Sequence, residues 1–202
     1  MRTDSDTGAA PREPREPREP SGCRWHEQCC SAVNRQIAVE NWASQQYHAM
    51  FAYFRRQTVA LPNVAAFFER ASLEEREHMH AMVEYQSKRG GVVNIDTRSV
   101  EDEHGLQHEF GLCVFDEPST TDVRTAFAKA LEMERLVYDS LLGLCRVAEE
   151  HGDAQFADYV TSVFLSEQVE SMDELSKYVA QLDRLGSSGW AGAYFDREFL
   201  PP

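Results

Sequence analysis

The sequence contains no apolar run that approaches the roughly 20 residues of a membrane-spanning helix. It is also poor in basic residues, because 20 Lys and Arg stand against 34 Asp and Glu, for a formal net charge of −14. Such a charge argues against nucleic acid and against an anionic membrane as partners. It favours cations as ligands, although a well-solvated surface explains the charge equally well.

The N-terminus lacks the apolar segment of a secretory signal, and the five cysteines form no CxxC pair. These absences indicate reduced thiols rather than a framework of disulfides. The early acids Asp4, Asp6 and Glu13 count against an organelle transit peptide, whereas the arginines of the same segment fit one. Taken together, these features predict a cytoplasmic protein.

The chain divides into a short tail and one helical domain. Residues 1–30 are expected to form a disordered tail, because its repeat PREPREPREP cannot bury apolar surface. Residues 31–200 show helical periodicity apart from a long connection at 90–119, and we find no strand pattern of any length. The expected helices lie near 31–56, 62–88, 120–150, 154–185 and, as a short last helix, 190–199. Two tight turns and one long crossover between the second and third helices predict an all-α four-helix bundle.

Each long helix carries a polar residue in the middle of its core-facing stripe. On the second helix, apolar positions recur at spacings of three and four, and the stripe they define passes through Glu75 and His78. The same count places Glu40 on the first stripe, Glu134 on the third and Gln168 on the fourth. No Lys or Arg lies on any of the four stripes, whose other positions are apolar, aromatic or small.

Three buried carboxylates without a positive side chain beside them predict a metal ion, because a buried unpaired carboxylate is costly. A single Glu on a stripe ordinarily means that the helical register was miscounted or that the side chain extends to solvent. The prediction therefore depends on the coincidence across four helices. Oxygen-rich ligation with one imidazole and no thiolate favours iron or manganese over zinc or copper. A Glu from each of two helices with Glu-x-x-His on another is the pattern of ferritin-like di-metal sites.

Between about Val33 and Phe199 the sequence resembles the eukaryotic ferritins, and in particular their heavy, iron-oxidising subunit type. The segments that carry the resemblance are NRQIAVENWASQQYHAM, ALPNVAAFF, EEREH, QSKRGG, ALEMER, FLSEQV and AYFDREFL. The resemblance implies a ferritin-like bundle over residues 31–200 that takes Fe(II) and O2 as substrates and oxidises the iron as a ferroxidase. It also implies a 24-subunit cage in which the iron is stored as ferric mineral.

The resemblance further implies a di-iron centre with defined ligands. Glu40 and His78 would hold one iron ion and Glu134 the other, while Glu75 would bridge the pair. Two Fe(II) ions would bind there, and O2 would take electrons from both before the ferric iron moves into the cage.

Two further residues would assist this centre. Gln168 would order a nearby water, and Tyr47 would be the adjacent tyrosine that assists oxidation. Because Gln168 and Ser171 stand where bacterioferritins carry a second Glu-x-x-His, no haem is expected. Glu167, beside Gln168, is interpreted as a solvated or subunit-facing carboxylate, with an accessory iron site as the alternative.

The family's other metal-binding positions are only partly kept. Glu74 and Glu77 match two acids of an inner-surface nucleation patch, but His80 takes the place of the third. Asp158 matches the first acid of the iron channel at the cage's three-fold axis, and Thr161 stands at the second. Halving the carboxylates of the channel lowers its attraction for cations.

Two other functions stay open at this point. One is a non-catalytic structural subunit that co-assembles with active ferritin subunits, and the four intact ligands argue against it. The other is a monomeric or dimeric di-iron bundle with different oxidative chemistry. The short last helix and the RGG turn at 89–91 argue against that alternative.

Overall fold

The computed structural model describes residues 25–95, 115 and 117–200, together with the backbone of 100–101 and 107–108. Its long helices are α1 (Glu27–Phe54), α2 (Pro62–Lys88) and α3 (Asp122–Glu150). A fourth helical stretch consists of α4 (Ala154–Val160), a π-helical segment (Thr161–Leu165) and α5 (Ser166–Leu185), and a short α6 (Ala191–Glu198) follows. The all-α four-helix bundle with a short last helix is therefore confirmed.

The helical domain begins slightly earlier than predicted, and its long connection contains a short pair of strands. α1 begins at Glu27, a few residues before the predicted domain start at 31. The predicted tail lies largely outside the described residues, as does most of the connection at 90–119. That connection contains one short antiparallel pair, β1 (Val100–Glu101) with β2 (Gln107–His108), so the expectation of no strand was wrong here. Two-residue strands fall below the length at which alternation can be recognised in a sequence.

The ends of α2 are set by a remote carboxylate and by a glycine. Leu61 precedes the helix and offers no side-chain cap, but Asp196 of α6 accepts from the backbone N–H groups of Asn63 at 2.9 Å and Val64 at 2.8 Å. After the helix, Gly90 adopts a φ of 80°, as expected for a residue that terminates a helix in the left-handed region. The contact with Asp196 ties the short last helix to the bundle.

The predicted fourth helix is interrupted at Thr161–Leu165, where the backbone widens into a π turn. Ser166 Oγ donates to the carbonyl of Thr161 at 3.4 Å, and Ser162 Oγ donates to the carbonyl of Asp158 at 2.6 Å. Hydroxyls that bond to preceding carbonyls compete with the regular ladder and bend helices. π turns are often found at functional sites, and this one directly precedes Glu167 and Gln168.

The bundle core forms two apolar clusters, one toward each end. The first is centred on Tyr47, Phe54, Phe68, Phe127 and Phe195. The second contains Ile37, Met82, Leu141, Phe156 and Phe164. Along every long helix, the polar residue of the core stripe lies between a member of one cluster and a member of the other.

None of the helices in the described part of the chain is long and apolar enough to cross a lipid bilayer.

Candidate metal centre

Three side chains from α1 and α2 converge between the two clusters. Glu40, Glu75 and His78 each place a ligand atom within 4.8 Å of those of the other two. Glu40 is 0% exposed and Glu75 is 4% exposed, whereas the side chain of His78 is 17% exposed. Glu75 and His78 lie one helical turn apart on α2, so they share a face. The site is therefore deep inside the bundle, with one edge toward its surface.

The Glu40 carboxylate has one satisfied oxygen and one that lacks a partner. Its Oε1 accepts from Gln36 Nε2 at 2.7 Å, while no donor group reaches its buried Oε2. The carboxyl groups of Glu40 and Glu75 can bond to each other only when one of them carries a proton. Burial, followed by the negative charge of Glu75, raises the pKa of Glu40 well above its ordinary value. A bound cation would satisfy the free oxygen and offset both effects.

The other two carboxyl groups experience the same environment. Burial, and then the charge of Glu134, raise the pKa of Glu75 well above its ordinary value. Burial likewise raises the pKa of Glu134. In the described part of the chain, the side chains within hydrogen-bonding distance of the three glutamates, apart from the glutamates themselves, are Gln36, Tyr47, Gln168 and His78, none of which carries a fixed positive charge. The donor set fits a hard, oxygen-preferring metal ion such as iron.

Glu134 of α3 is held from two sides. The Tyr47 hydroxyl donates to its Oε1, and Gln168 Nε2 donates to its Oε2 and, at 3.1 Å, to its backbone carbonyl. Burial, and then the charge of Glu134, raise the pKa of Tyr47 well above its ordinary value, so the phenol keeps its proton. The contact between Gln168 and Glu134 adds to the water-ordering role predicted for this glutamine.

His78 lies between two carboxylates. Its Nδ1 is 3.2 Å from Glu75 Oε2, and its Nε2 is 3.2 Å from Glu167 Oε2. A neutral imidazole has one N–H, so only one of these contacts can be a hydrogen bond, and in the other a lone pair faces a carboxylate oxygen. If Nε2 donates to Glu167, a metal ion at Nδ1 removes that conflict. A carboxylate behind a ligating histidine is a common arrangement in metal sites.

Glu167 and Gln36 were not among the predicted site residues. The half-buried Glu167 contacts both His78 and Glu74. Partial burial followed by the hydrogen bond to Glu167 raises the pKa of Glu74 to about 7, although the Glu74 side chain stays largely open to solvent. Periodicity placed Glu167 off the core stripe, and its side chain is indeed 43% exposed but still reaches His78 of α2. Gln36 lies four residues before Glu40 on the same face of α1, and that spacing was the available signal.

The remaining predicted metal-binding residues lie at the surface. Glu74, Glu77 and Asp158 are exposed, and the structure does not add them to the buried trio. His80 and Thr161, which replace acids of the family pattern, are exposed as well. Their roles in a nucleation patch and a channel stay predictions.

Comparison with known proteins identifies the family. A family model described as a ferritin-like domain matches residues 30–185. The chain is 45% identical over 173 residues to Ferritin-3, chloroplastic, of Arabidopsis thaliana, covering 86% of this chain and 62% of that protein. It is 44% identical over 170 residues to Ferritin-2, chloroplastic, of Vigna unguiculata (84% and 64%), and 41% identical over 177 residues to Ferritin-3, chloroplastic, of Glycine max (88% and 65%). The chain thus spans less than two thirds of the length of these curated relatives.

The names of these relatives correct one prediction. Each is a chloroplastic protein, so the cytoplasmic location expected from the sequence was wrong. That expectation gave weight to Asp4, Asp6 and Glu13 over the arginines around them. Acid content alone is a weak criterion, because a transit peptide is recognised from its whole composition. The match over residues 30–185, which is most of the chain and includes every residue of the candidate centre, shows that this protein belongs to the ferritin family.

Proposed function

We propose that this protein is an iron-storage subunit of the heavy, ferroxidase type, which oxidises Fe(II) with O2 at the buried centre and stores the product as ferric mineral in a multisubunit cage. The observation that carries the proposal is the unpartnered Oε2 of Glu40, buried beside Glu75 and His78. Such an atom is costly unless a cation binds it. The names of the relatives support a plastid location for the process.

Each ligand has a place in this reaction. One Fe(II) ion would be held by Glu40 Oε2, His78 Nδ1 and Glu75, and Glu75 would also serve the neighbouring ion. Glu134, oriented by Tyr47 and Gln168, holds that second Fe(II) ion. Each Fe(II) ion would give up one electron, and O2 would accept both and, with two protons, become hydrogen peroxide.

The surrounding side chains favour the oxidised state of the iron. Three carboxylates stabilise Fe(III) more than Fe(II), because the attraction grows with the charge of the ion. Burial and then the charge of a neighbouring carboxylate raise the pKa of Glu40 and of Glu75, and a bound cation reduces the repulsion between the carboxylates. The apolar clusters on both sides keep bulk water away from the centre, so these charges act in a medium of low polarity.

Cage assembly is supported by apolar surface that the single chain leaves exposed. On and beside α6, Trp190 is 58% exposed and Tyr194 is 42% exposed. Large aromatic side chains at such exposure are typical of interfaces between subunits. We propose that α6 contacts neighbouring subunits in a 24-subunit cage, in a homo-oligomer or together with other ferritin subunits.

The test is Fe(II) oxidation in air, followed by ferric absorbance after each protein is sized on a column. The parent protein should oxidise iron rapidly, and the variant Glu75→Ala/His78→Ala should fall to nearly the protein-free rate. Glu69→Ala, which alters an exposed glutamate on the same helix, is the matched control and should keep the parent rate. Equal slow rates for parent and double variant in intact cages would refute the ferroxidase proposal and favour the structural subunit.

A further inference from the structure

The Glu40 carboxylate is the end of a chain of hydrogen bonds that starts on another helix. Ser140 Oγ of α3 donates to Gln36 Oε1 at 2.6 Å, and Gln36 Nε2 donates to Glu40 Oε1 at 2.7 Å. Gln36 is fully buried, and Ser140 is half-buried. The chain therefore runs from α3 to α1 and then one turn along α1 to the metal ligand.

The direction of this chain follows from the chemistry of its members. A carboxylate that binds a metal ion is ionised and only accepts, so the group of Gln36 that faces Glu40 must be the amide NH2. The amide oxygen then points to α3, where the Ser140 hydroxyl donates to it. If the amide were turned over, its oxygen would lie against the carboxylate oxygen, and its NH2 would face a hydroxyl instead of a charged acceptor.

As a result, the two oxygens of the Glu40 carboxylate have different hydrogen-bonding environments. Oε1 is occupied by the amide, and the carboxylate plane is held by a bond to a side chain that cannot itself rotate freely in the core. Oε2 is left without a partner on the side of Glu75 and His78. A buried ligand with one oxygen occupied and one free is oriented for a single metal–oxygen bond.

We propose that Gln36 is a positioning residue for metal binding: held by Ser140, it fixes the Glu40 carboxylate so that Oε2 is the oxygen presented to the metal ion. The inference rests on the proposed function, because it assumes that Glu40 is a metal ligand. Gln36 does not touch the metal and acts only through Glu40. Outer hydrogen-bond partners of metal ligands commonly contribute about 10–100-fold in metal affinity.

The test is anaerobic titration with Co(II), whose visible spectrum reports both affinity and coordination geometry and needs no oxidation. Gln36→Met keeps the side-chain length and removes the donor. It should weaken Co(II) binding by about 10–100-fold and change the spectrum of the bound ion. Ser140→Ala leaves Gln36 in place but free to turn, so the loss of Co(II) affinity should be smaller. Ser140→Thr keeps the hydroxyl and should bind Co(II) with the parent affinity.

A double-mutant cycle separates positioning from a general structural role. If Gln36 acts through Glu40, then Gln36→Met should have no further effect on Co(II) affinity in a Glu40→Ala background. Equal losses in both backgrounds would overturn the inference, as would parent-like affinity and spectrum in Gln36→Met. Should Gln36→Met fail to fold, the comparison of Ser140→Ala with Ser140→Thr decides, and equal affinities there would overturn it.

The proposed function fails in a different way. If the parent protein binds Co(II) with an affinity that Glu75→Ala/His78→Ala does not reduce, the buried trio is not the metal site, and both proposals fall. If that double variant loses the bound ion but the Gln36 and Ser140 variants do not differ from the parent, the centre stands and only the positioning role is refuted.

Discussion

Replacing Glu40 by glutamine should stabilise the metal-free protein while removing its ability to bind metal. Glu40 Oε2 is buried without a partner, and the charge of Glu75 acts on it. In Glu40→Gln, the amide oxygen still accepts from Gln36, and the new NH2 group can donate to Glu75. An unsatisfied buried acceptor costs about 1–3 kcal/mol, and a hydrogen bond to a charged group contributes about 1.5–3 kcal/mol. Because the two effects overlap, we expect a gain of about 2–4 kcal/mol in the free energy of unfolding.

The gain should depend on pH in a defined direction. The pKa of Glu40 is raised in the folded protein, so the folded state binds more protons than the unfolded chain between the ordinary glutamate pKa of about 4.3 and the folded pKa. The stability of the metal-free parent therefore falls as pH rises through this interval. The advantage of Glu40→Gln should therefore grow as pH rises through this interval and should shrink in mild acid.

Thermal unfolding after extensive chelation measures the effect, with each kcal/mol shifting Tm by about 2–4 °C for a chain of this size. Addition of Zn(II) should reverse the order, because a ligand at about 1,000 times its Kd stabilises the parent by about 4.1 kcal/mol and the variant hardly at all. Glu69→Gln, on the exposed face of α2, is the control and should leave Tm unchanged. A metal-free Glu40→Gln protein that melts below the parent at neutral pH would refute the claim that this carboxylate is strained.

Three further substitutions test single contacts. Tyr47→Phe removes the hydroxyl that donates to Glu134 Oε1 and should slow Fe(II) oxidation about 10–100-fold without changing the size of the assembly. Asp196→Ala removes the cap of α2 and should lower the free energy of unfolding by about 1–2 kcal/mol, measured by denaturant titration. Arg89→Met breaks a largely buried ion pair with Asp153 and should cost on the order of 3 kcal/mol, measured in the same way.

Each of these has a control in the chain. Asp196→Asn keeps one carbonyl oxygen for the α2 N–H groups, so its free energy of unfolding should fall less than that of Asp196→Ala. Lys88→Met removes an exposed pair with Glu84 and should cost less than about 1 kcal/mol, in contrast to Arg89→Met. The ion pair with Arg89 lowers the pKa of Asp153, so its contribution to the free energy of unfolding should be lost as pH falls through the acid range. If Arg89→Met differed from the parent by the same free energy at every pH, the ion pair would not be the source of that difference. Parent-rate oxidation by Tyr47→Phe would exclude a role for the hydroxyl.

The bundle and the positions of its ligands could be predicted because both depend on a local period. Glu40, Glu75 and Glu134 were placed on core stripes by counting threes and fours, and all three are buried. The ends of α2 followed from Pro62 and Gly90, whose backbone preferences act within one turn. Such features need no knowledge of which helices become neighbours.

The parts that could not be predicted depend on long-range contacts or on a break in the period. Asp196 caps a helix that lies more than a hundred residues earlier, and nothing in its own neighbourhood indicates this role. Ser140 and Gln36 meet only after α1 and α3 pack together. Glu167 was interpreted as solvated by default, and its contact with His78, 89 positions away, cannot be seen by counting along one helix.

The most direct test of the central claim is anomalous diffraction at the iron edge from crystals loaded with Fe(II) without oxygen. Two iron peaks are expected inside each subunit, one within bonding distance of Glu40 Oε2, His78 Nδ1 and Glu75, and a second between Glu75 and Glu134. Iron found only at the surface, with the buried trio empty, would contradict it.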